Sequence, residues 1–313
     1  MVLSWLRDTP KLNTVCRNPG KDRVRHWLIA ALACGLCVTS ATPGWGQSLN
    51  FGPITLSVPS GSVAFPLELA KKIGADRAEG LELRLKFVNG GGVAISDLAT
   101  GNAEFGVFGL PAAMLYNSEN AAQNSLVAMA AIDGLPLYSL VVRADLRKNI
   151  SRIDDLKGRR IGVHSDSPIA ITTSRQILNL VLRSRGISPS EVSIIPAGQS
   201  WDSQSSVFLT RTADAIMSDE PLATRFTLEK LGGTIYSTGN KSDISTTPGA
   251  GFLRATLIAR RDKVERNSEL SMRMVKVVQR SLAYMASRKA PELADLMALQ
   301  GAERLSFINV FEK

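Results

Sequence analysis

From Gln47 onward, short apolar runs alternate with longer stretches of helical periodicity, and this alternation restricts the chain to an α/β architecture with mainly parallel sheets. Ile54 to Val58 reads as a strand ended by Pro59-Ser60-Gly61-Ser62, with a helix from about Phe65 to Ile73. Leu81, Leu83, Leu85 and Phe87 alternate with Glu82, Arg84 and Lys86, so one face of that strand is expected to be buried and the other wet. Asn89-Gly90-Gly91-Gly92 breaks it, a helix runs to about Thr100, and Gly101 sits where a helix stop is expected. Glu104 to Phe108 and Leu126 to Ile132 read as further strands around a short helix from Leu110 to Tyr116.

The pattern pauses at Asp133-Gly134-Leu135-Pro136, and Tyr138 to Arg143 looks like a strand leaving the first set. A second set follows: strands at Arg160 to Val163, Val192 to Ile195, Ala213 to Met217 and Thr234 to Tyr236, with helices at Pro168 to Arg185, Ser203 to Leu209 and Pro221 to Leu231. After a polar stretch comes the strand Phe252 to Ala259. A long amphipathic helix then carries Leu270, Met274, Val277, Ser281 and Tyr284 on one stripe. No internal repeat is visible in the sequence.

The 313 residues suffice for two lobes with real cores, and their formal net charge is +9. Part of that charge belongs to the first 46 residues, and the remainder carries a net of +5 without a basic block or basic-aromatic weave. Nucleic acid is set aside as a partner on that ground. Cys16, Cys34 and Cys37 all precede residue 46, and only His164 lies beyond it. A disulfide scaffold, a thiolate nucleophile and a cysteine-bound metal are thereby excluded from residues 47–313, and no metal or cofactor is expected.

The first 46 residues have the order of a secretory signal. Arg17, Lys21, Arg23 and Arg25 precede an uncharged run from Trp27 to Val38, and Gly44-Trp45-Gly46 offers small residues for cleavage before Gln47; Thr39-Ser40-Ala41 is a second site. The run is shorter than the roughly 20 residues that span a bilayer. Export to the periplasm is expected, with lipid anchoring through Cys34 of Ala31-Leu32-Ala33-Cys34 as the minor alternative.

Gly80-Leu81-Glu82-Leu83, the glycine loop, Asp97-Leu98-Ala99-Thr100-Gly101-Asn102-Ala103-Glu104-Phe105 and Gly109-Leu110-Pro111-Ala112 together resemble the first lobe of periplasmic solute-binding proteins of ABC transporters. The resemblance is to the nitrate, sulfonate and taurine group that also holds thiamine-precursor binders (NMT1-like). Asp154-Asp155-Leu156-Lys157-Gly158-Arg159-Arg160-Ile161-Gly162-Val163 is similar to that family's entry into its second lobe, and Ala213-Asp214-Ala215-Ile216-Met217 with Asp219-Glu220-Pro221 to its far end. The resemblance implies a two-lobed periplasmic binding protein type II fold with a hinge of two crossing strands, around 135–145 and 247–258. Lobe I would comprise 50–134 plus 247–313 and lobe II 135–246. Members usually run some tens of residues further, so the chain is expected to stop short of their last helices. It further implies a monomeric receptor that hands a small-molecule ligand to ABC permease and ATPase subunits and performs no chemistry. The alternatives are an enzyme of pyrimidine or menaquinone precursor synthesis on the same fold and a ligand sensor for a signalling partner.

The cleft of such a fold gathers loops at the carboxyl ends of strands, where helix N-termini present free backbone N–H groups that favour anions. A sulfonate- or nitrate-like anion is the favoured ligand on that argument. Ser60, Gly61 and Ser62, then Asn89, Gly90 and Gly91, then Gly109 and Pro111 are the expected ligand loops of the first lobe. In the second, Ser167 before Pro168 has the form of an N-cap, which would turn His164, Ser165 and Ser167 toward the cleft. A catalytic triad of His164, Ser165 and Asp166 is not expected, because consecutive side chains on an extended segment point apart. Trp201 reads equally as a cleft wall or a core residue. Asp219 and Glu220 would suit an amine or a hydrogen-bond donor, or else charge the first turn of the helix at Pro221.

Overall fold

The computed structural model describes residues 51–120, 125–133, 137–165, 167–168, 172–250 and 255–312. The expected signal segment with its cysteines, Asp166, and residues 134–136 and 251–254 of the expected connectors lie outside the described residues.

The first run of elements is β1 (Pro53–Pro59), α1 (Phe65–Lys72), α2 (Ala75–Ala78), β2 (Glu82–Val88), α3 (Gly91–Thr100), β3 (Phe105–Gly109), α4 (Leu110–Glu119) and β4 (Leu126–Ala131). The second is β5 (Tyr138–Arg143), β6 (Arg160–Val163), α5 (Thr173–Arg183), β7 (Ser193–Pro196), α6 (Trp201–Leu209), β8 (Ala215–Asp219), α7 (Leu222–Leu228), β9 (Gly232–Ser237) and α8 (Lys241–Ser245). The chain ends with β10 (Ala255–Arg260), α9 (Arg261–Arg266), α10 (Ser268–Ala286), α11 (Ala290–Leu296) and α12 (Gly301–Phe311).

The strands form two five-stranded sheets, in the orders β2-β1-β3-β10-β4 and β7-β6-β8-β5-β9. In the first, β1 runs parallel to β2 and β3, and β10 enters antiparallel between β3 and β4. In the second, β6 runs parallel to β7 and β8, and β5 enters antiparallel between β8 and β9. The expected mainly parallel sheets are therefore mixed. The two sheets also share one strand plan, a repeat of topology that the sequence does not display.

Helices cover both faces of each sheet. Leu56, Leu83 and Val107 pack with Leu67 of α1 and Met274, Val277 and Val278 of α10, while Val88 and Phe108 pack on the opposite face with Ala94 and Leu98 of α3. In the second sheet, Leu140, Ile161 and Met217 pack with Ile177, Leu178 and Val181 of α5, and Val141 and Ile216 with Phe208 and Phe226. Each such fully buried leucine or phenylalanine stabilises the fold by about 1.5–3 kcal/mol. The period-two expectation holds at Leu81 and Leu83, but Phe87 is 51 % exposed. It lies near the end of the edge strand β2, past the cover of α1 and α10.

Helix α10 buries Met274, Val277 and Ser281 as its spacing predicts, and leaves Lys276 and Arg280 exposed. Phe307 of α12 packs against Phe65 of α1 with ring centroids 4.8 Å apart, and α12 also lies against α7 of the second lobe. Among the described residues, no helix is long and apolar enough to cross a membrane.

Candidate functional site

The ends of β1 and β3 and the starts of α3 and α4 face the end of β6 and the start of α5 across a cavity of ≈ 40 Å³, room for about three waters. Pro59, Ser62, Val63, Gly91, Phe108 and Gly109 line it from the first lobe. His164, Thr172, Thr173, Ser174 and Gln199 line it from the second, and Asp133, Leu137, Tyr138 and Ala255 from the region where the chain passes between lobes.

The lobes are shut against each other. The Ser62 hydroxyl donates to Asp219 Oδ2 across the cleft at 2.9 Å. A Cβ on Gly109 would overlap Thr173 Oγ1, and one on Gly90 would fall 3.2 Å from the His164 carbonyl oxygen. Gly90 has φ of 115°, a left-handed region that suits only glycine, whereas the backbone of Gly109 at φ −64° would accept any residue. Glycine at 109 is therefore required by the close approach of the opposite lobe, and not by the turn.

A polar cluster lies at the floor of the second lobe. His164 and Asp219 are 2 % and 1 % exposed, and Asp219 Oδ1 stands 3.5 Å from His164 Nε2. The Ser218 hydroxyl donates to Gln204 Oε1 at 2.6 Å, which turns the Gln204 amide nitrogen toward His164 Nε2 at 3.1 Å. Burial lowers the pKa of His164, against the pull of Asp219 in the other direction, so the imidazole is neutral. With Nε2 accepting from Gln204, the proton resides on Nδ1. Neither His164 Nδ1 nor Asp219 Oδ1 has a hydrogen-bond partner among the described residues. The Tyr138 ring packs beside His164 at 5.5 Å, and its hydroxyl is pushed well above its ordinary pKa by burial and by the charges of Asp219 and Asp133.

The structure separates the two acidic neighbours at the end of β8. Glu220 Oε2 accepts from the backbone N–H of Thr224 and so caps α7, and burial raises its carboxyl pKa. It does not line the cavity, whereas Asp219 borders it through Ser62 and His164, which do. Trp201 is likewise placed away from the cavity, with its ring against Phe226 at 4.8 Å and Arg225 stacked over it at 4.1 Å. Helix α5 does not start at Ser167. Ser165 accepts from the Ser167 N–H and donates to the Ser167 carbonyl, closing a turn there, and Thr172 caps the helix by accepting from Arg175 N.

Ser60, Asn89, Gly90, Pro111, Ser165 and Ser167 flank the cavity without lining it, while Gly61 packs against Asp219 and Gln199 from across the seam. Ser62, Gly91, Gly109 and His164 do line it. Asp133, Tyr138, Gln199 and Thr172 to Ser174 also line it, and the sequence pattern does not point to them as site residues. Only the threonine pair carried a signal, being a second N-cap within reach of the same helix. Among the described residues, no three His, Cys, Asp or Glu side chains gather as metal ligands.

Two α/β lobes closed over a small shared cavity, each with one antiparallel strand inserted in a parallel set, define a periplasmic-binding-protein fold. Solved structures share it. A protein of Bordetella bronchiseptica RB50 superposes with a TM-score of 0.71 at 20 % identity, covering 83 % of this chain and 80 % of that one. The alkanesulfonate-binding protein SsuA of Xanthomonas axonopodis pv. citri gives 0.64 at 15 %, covering 83 % of each chain. The periplasmic nitrate-binding protein NrtA of Synechocystis PCC 6803 gives 0.64 at 12 %, covering 79 % of this chain and 66 % of that one. The sequence pattern of the NMT1/THI5-like family matches residues 65–292, and the chain belongs to that family. No curated protein matches the sequence.

Proposed function

We propose that this protein is an exported receptor that closes its two lobes around a small molecule and delivers it, chemically unchanged, to the permease and ATPase subunits of an ABC importer. The observation that carries this reading is the shared cavity: both lobes and the passages between them contribute to its lining, so an occupant bridges the halves and favours the closed form by contacts the open form lacks. Family membership supports the same reading. Two serines near His164 hold structure: Ser62 donates to Asp219, and Ser165 closes its own turn, so neither is paired with His164 as an activated nucleophile would be.

Native mass spectrometry of the exported protein, followed by small-angle scattering with and without the retained molecule, tests the proposal. A retained small molecule and a smaller radius of gyration in its presence are expected. Conversion of that molecule by the protein, or identical scattering in both states, would overturn the receptor reading.

A further inference from the structure

We infer that the cavity takes a small neutral or cationic ligand bearing a hydrogen-bond donor, such as an amine or amidine, and rejects sulfonate- and nitrate-like anions. This rests on the receptor reading and names the ligand class of the same site.

The first ground is the charge around the cavity. Asp133 lines it, and Asp219 sits directly behind Ser62 and His164. Both carboxylates raise the Tyr138 hydroxyl pKa, which places their fields on one spot of the wall. Among the described lining residues there is no lysine or arginine, and His164 is neutral. The N-termini of α3, α4 and α5 supply partial positive charge at Gly91, Gly109 and Thr173. Two carboxylates, one lining the cavity and one directly behind its wall, outweigh these partial charges for an anionic guest.

The second ground is independent of charge. Buried polar atoms in a finished interior are hydrogen-bonded, yet Asp219 Oδ1 and His164 Nδ1 have no partner among the described residues, and His164 lines the cavity. A carboxylate oxygen only accepts, so its missing partner is a donor. The Gln204 contact puts the proton on His164 Nδ1, so the missing partner there is an acceptor. The complementary molecule offers a donor at one end and a neutral acceptor, such as a hydroxyl or carbonyl oxygen, nearby. The Ser62 hydroxyl holds Asp219 Oδ2 from the opposite lobe, so occupation of the Asp219 side couples directly to closure.

The test is a calorimetric titration of the mature protein with methylammonium, ethanolamine and acetamidine against nitrate, methanesulfonate and ethanesulfonate, with scattering on the same samples. Binding by at least one of the donor-bearing probes and by none of the anions is expected, with affinity falling at least tenfold in Asp219→Asn and in Asp133→Asn. Two substitutions at separate positions keep the result readable should one disturb folding. Tight binding and closure with a sulfonate or nitrate, unchanged in both variants, would overturn the inference and leave the receptor standing. Absence of both binding and closure with every probe would count against the inference and the receptor reading together.

Discussion

Each lobe buries an aspartate at its sheet, and the two are treated differently. In the first lobe, Asp97 Oδ2 accepts from the Ser57 hydroxyl and Oδ1 from the Lys86 ammonium, both at 2.6 Å, so the carboxylate is fully engaged within its own lobe. In the second, Asp219 Oδ2 accepts only from Ser62 of the opposite lobe, and Oδ1 is left without a hydrogen-bond partner among the described residues. A buried polar group without a partner costs about 1–3 kcal/mol. On a shared strand plan, the completed network belongs to the architecture, and the incomplete one lies where the proposed guest would meet the facing lobe.

The seam between the lobes is the most sensitive point. Gly109→Val puts a branched side chain where Thr173 now sits, at a backbone conformation that valine adopts readily. Ligand affinity should fall at least a hundredfold, about 2.7 kcal/mol, with scattering that stays open and a melting temperature close to wild type. Retained closure would mean that the seam yields more easily than its packing suggests. Next in size, Asp97→Ala strips the partner from the buried Ser57 hydroxyl and should lower stability by about 2 kcal/mol, read from the urea midpoint, with ligand affinity unchanged within twofold. Lys86 is half exposed and regains water, which keeps the loss from being larger.

Acidification has a smaller effect on stability. Burial lowers the His164 pKa, so the unfolded chain takes up a proton near pH 6.5 that the folded chain refuses. Its contribution is complete above that pH and is lost as pH falls, by up to about 1.4 kcal/mol per unit. Glu220, raised by burial, acts in the opposite sense: its contribution is present at low pH and is lost as pH rises through its folded-state pKa. Urea titrations between pH 7.5 and 5.5 should show a fall in stability that is flatter in His164→Gln, where Glu220 is unchanged. The smallest effect is expected from Asp219→Asn, whose stability should differ from wild type by less than about 1 kcal/mol, in contrast to Asp97→Ala. A loss equal to that of Asp97→Ala would erase the distinction between the two networks.

Much of the architecture is legible in the sequence because it rests on periodicity. The stripe of α10 and the alternation of Leu81 and Leu83 follow from one buried face each. Phe87 escapes the pattern because nothing in the local sequence says where the covering helices end. The loops at strand ends are also legible, and they place Ser62, Gly91, Gly109 and His164 around the cavity. What fails is any choice between chemically similar neighbours. Ser167 and Thr172 are both plausible caps, and the hydroxyl of Ser165 decides between them by taking the Ser167 N–H. Asp219 and Glu220 are adjacent acids, and only the folded strand end sends one to Ser62 and the other to the Thr224 N–H. Asp133 and Tyr138 join the site through the passage between lobes, a contact that no local pattern encodes.

The insertion of β10 between β3 and β4 has a consequence for the order of assembly. All strands of the second sheet come from one continuous stretch, so that half can form as soon as residues 138–237 are free to collapse. The first sheet has a gap in its middle until Ala255–Arg260 arrives, more than 120 residues after β4 ends. The half of the molecule that leaves the ribosome first is thus completed last, and until then β3 and β4 present unpaired edges that invite association. A chaperone that held the chain unfolded until β10 had been made would spare it that hazard.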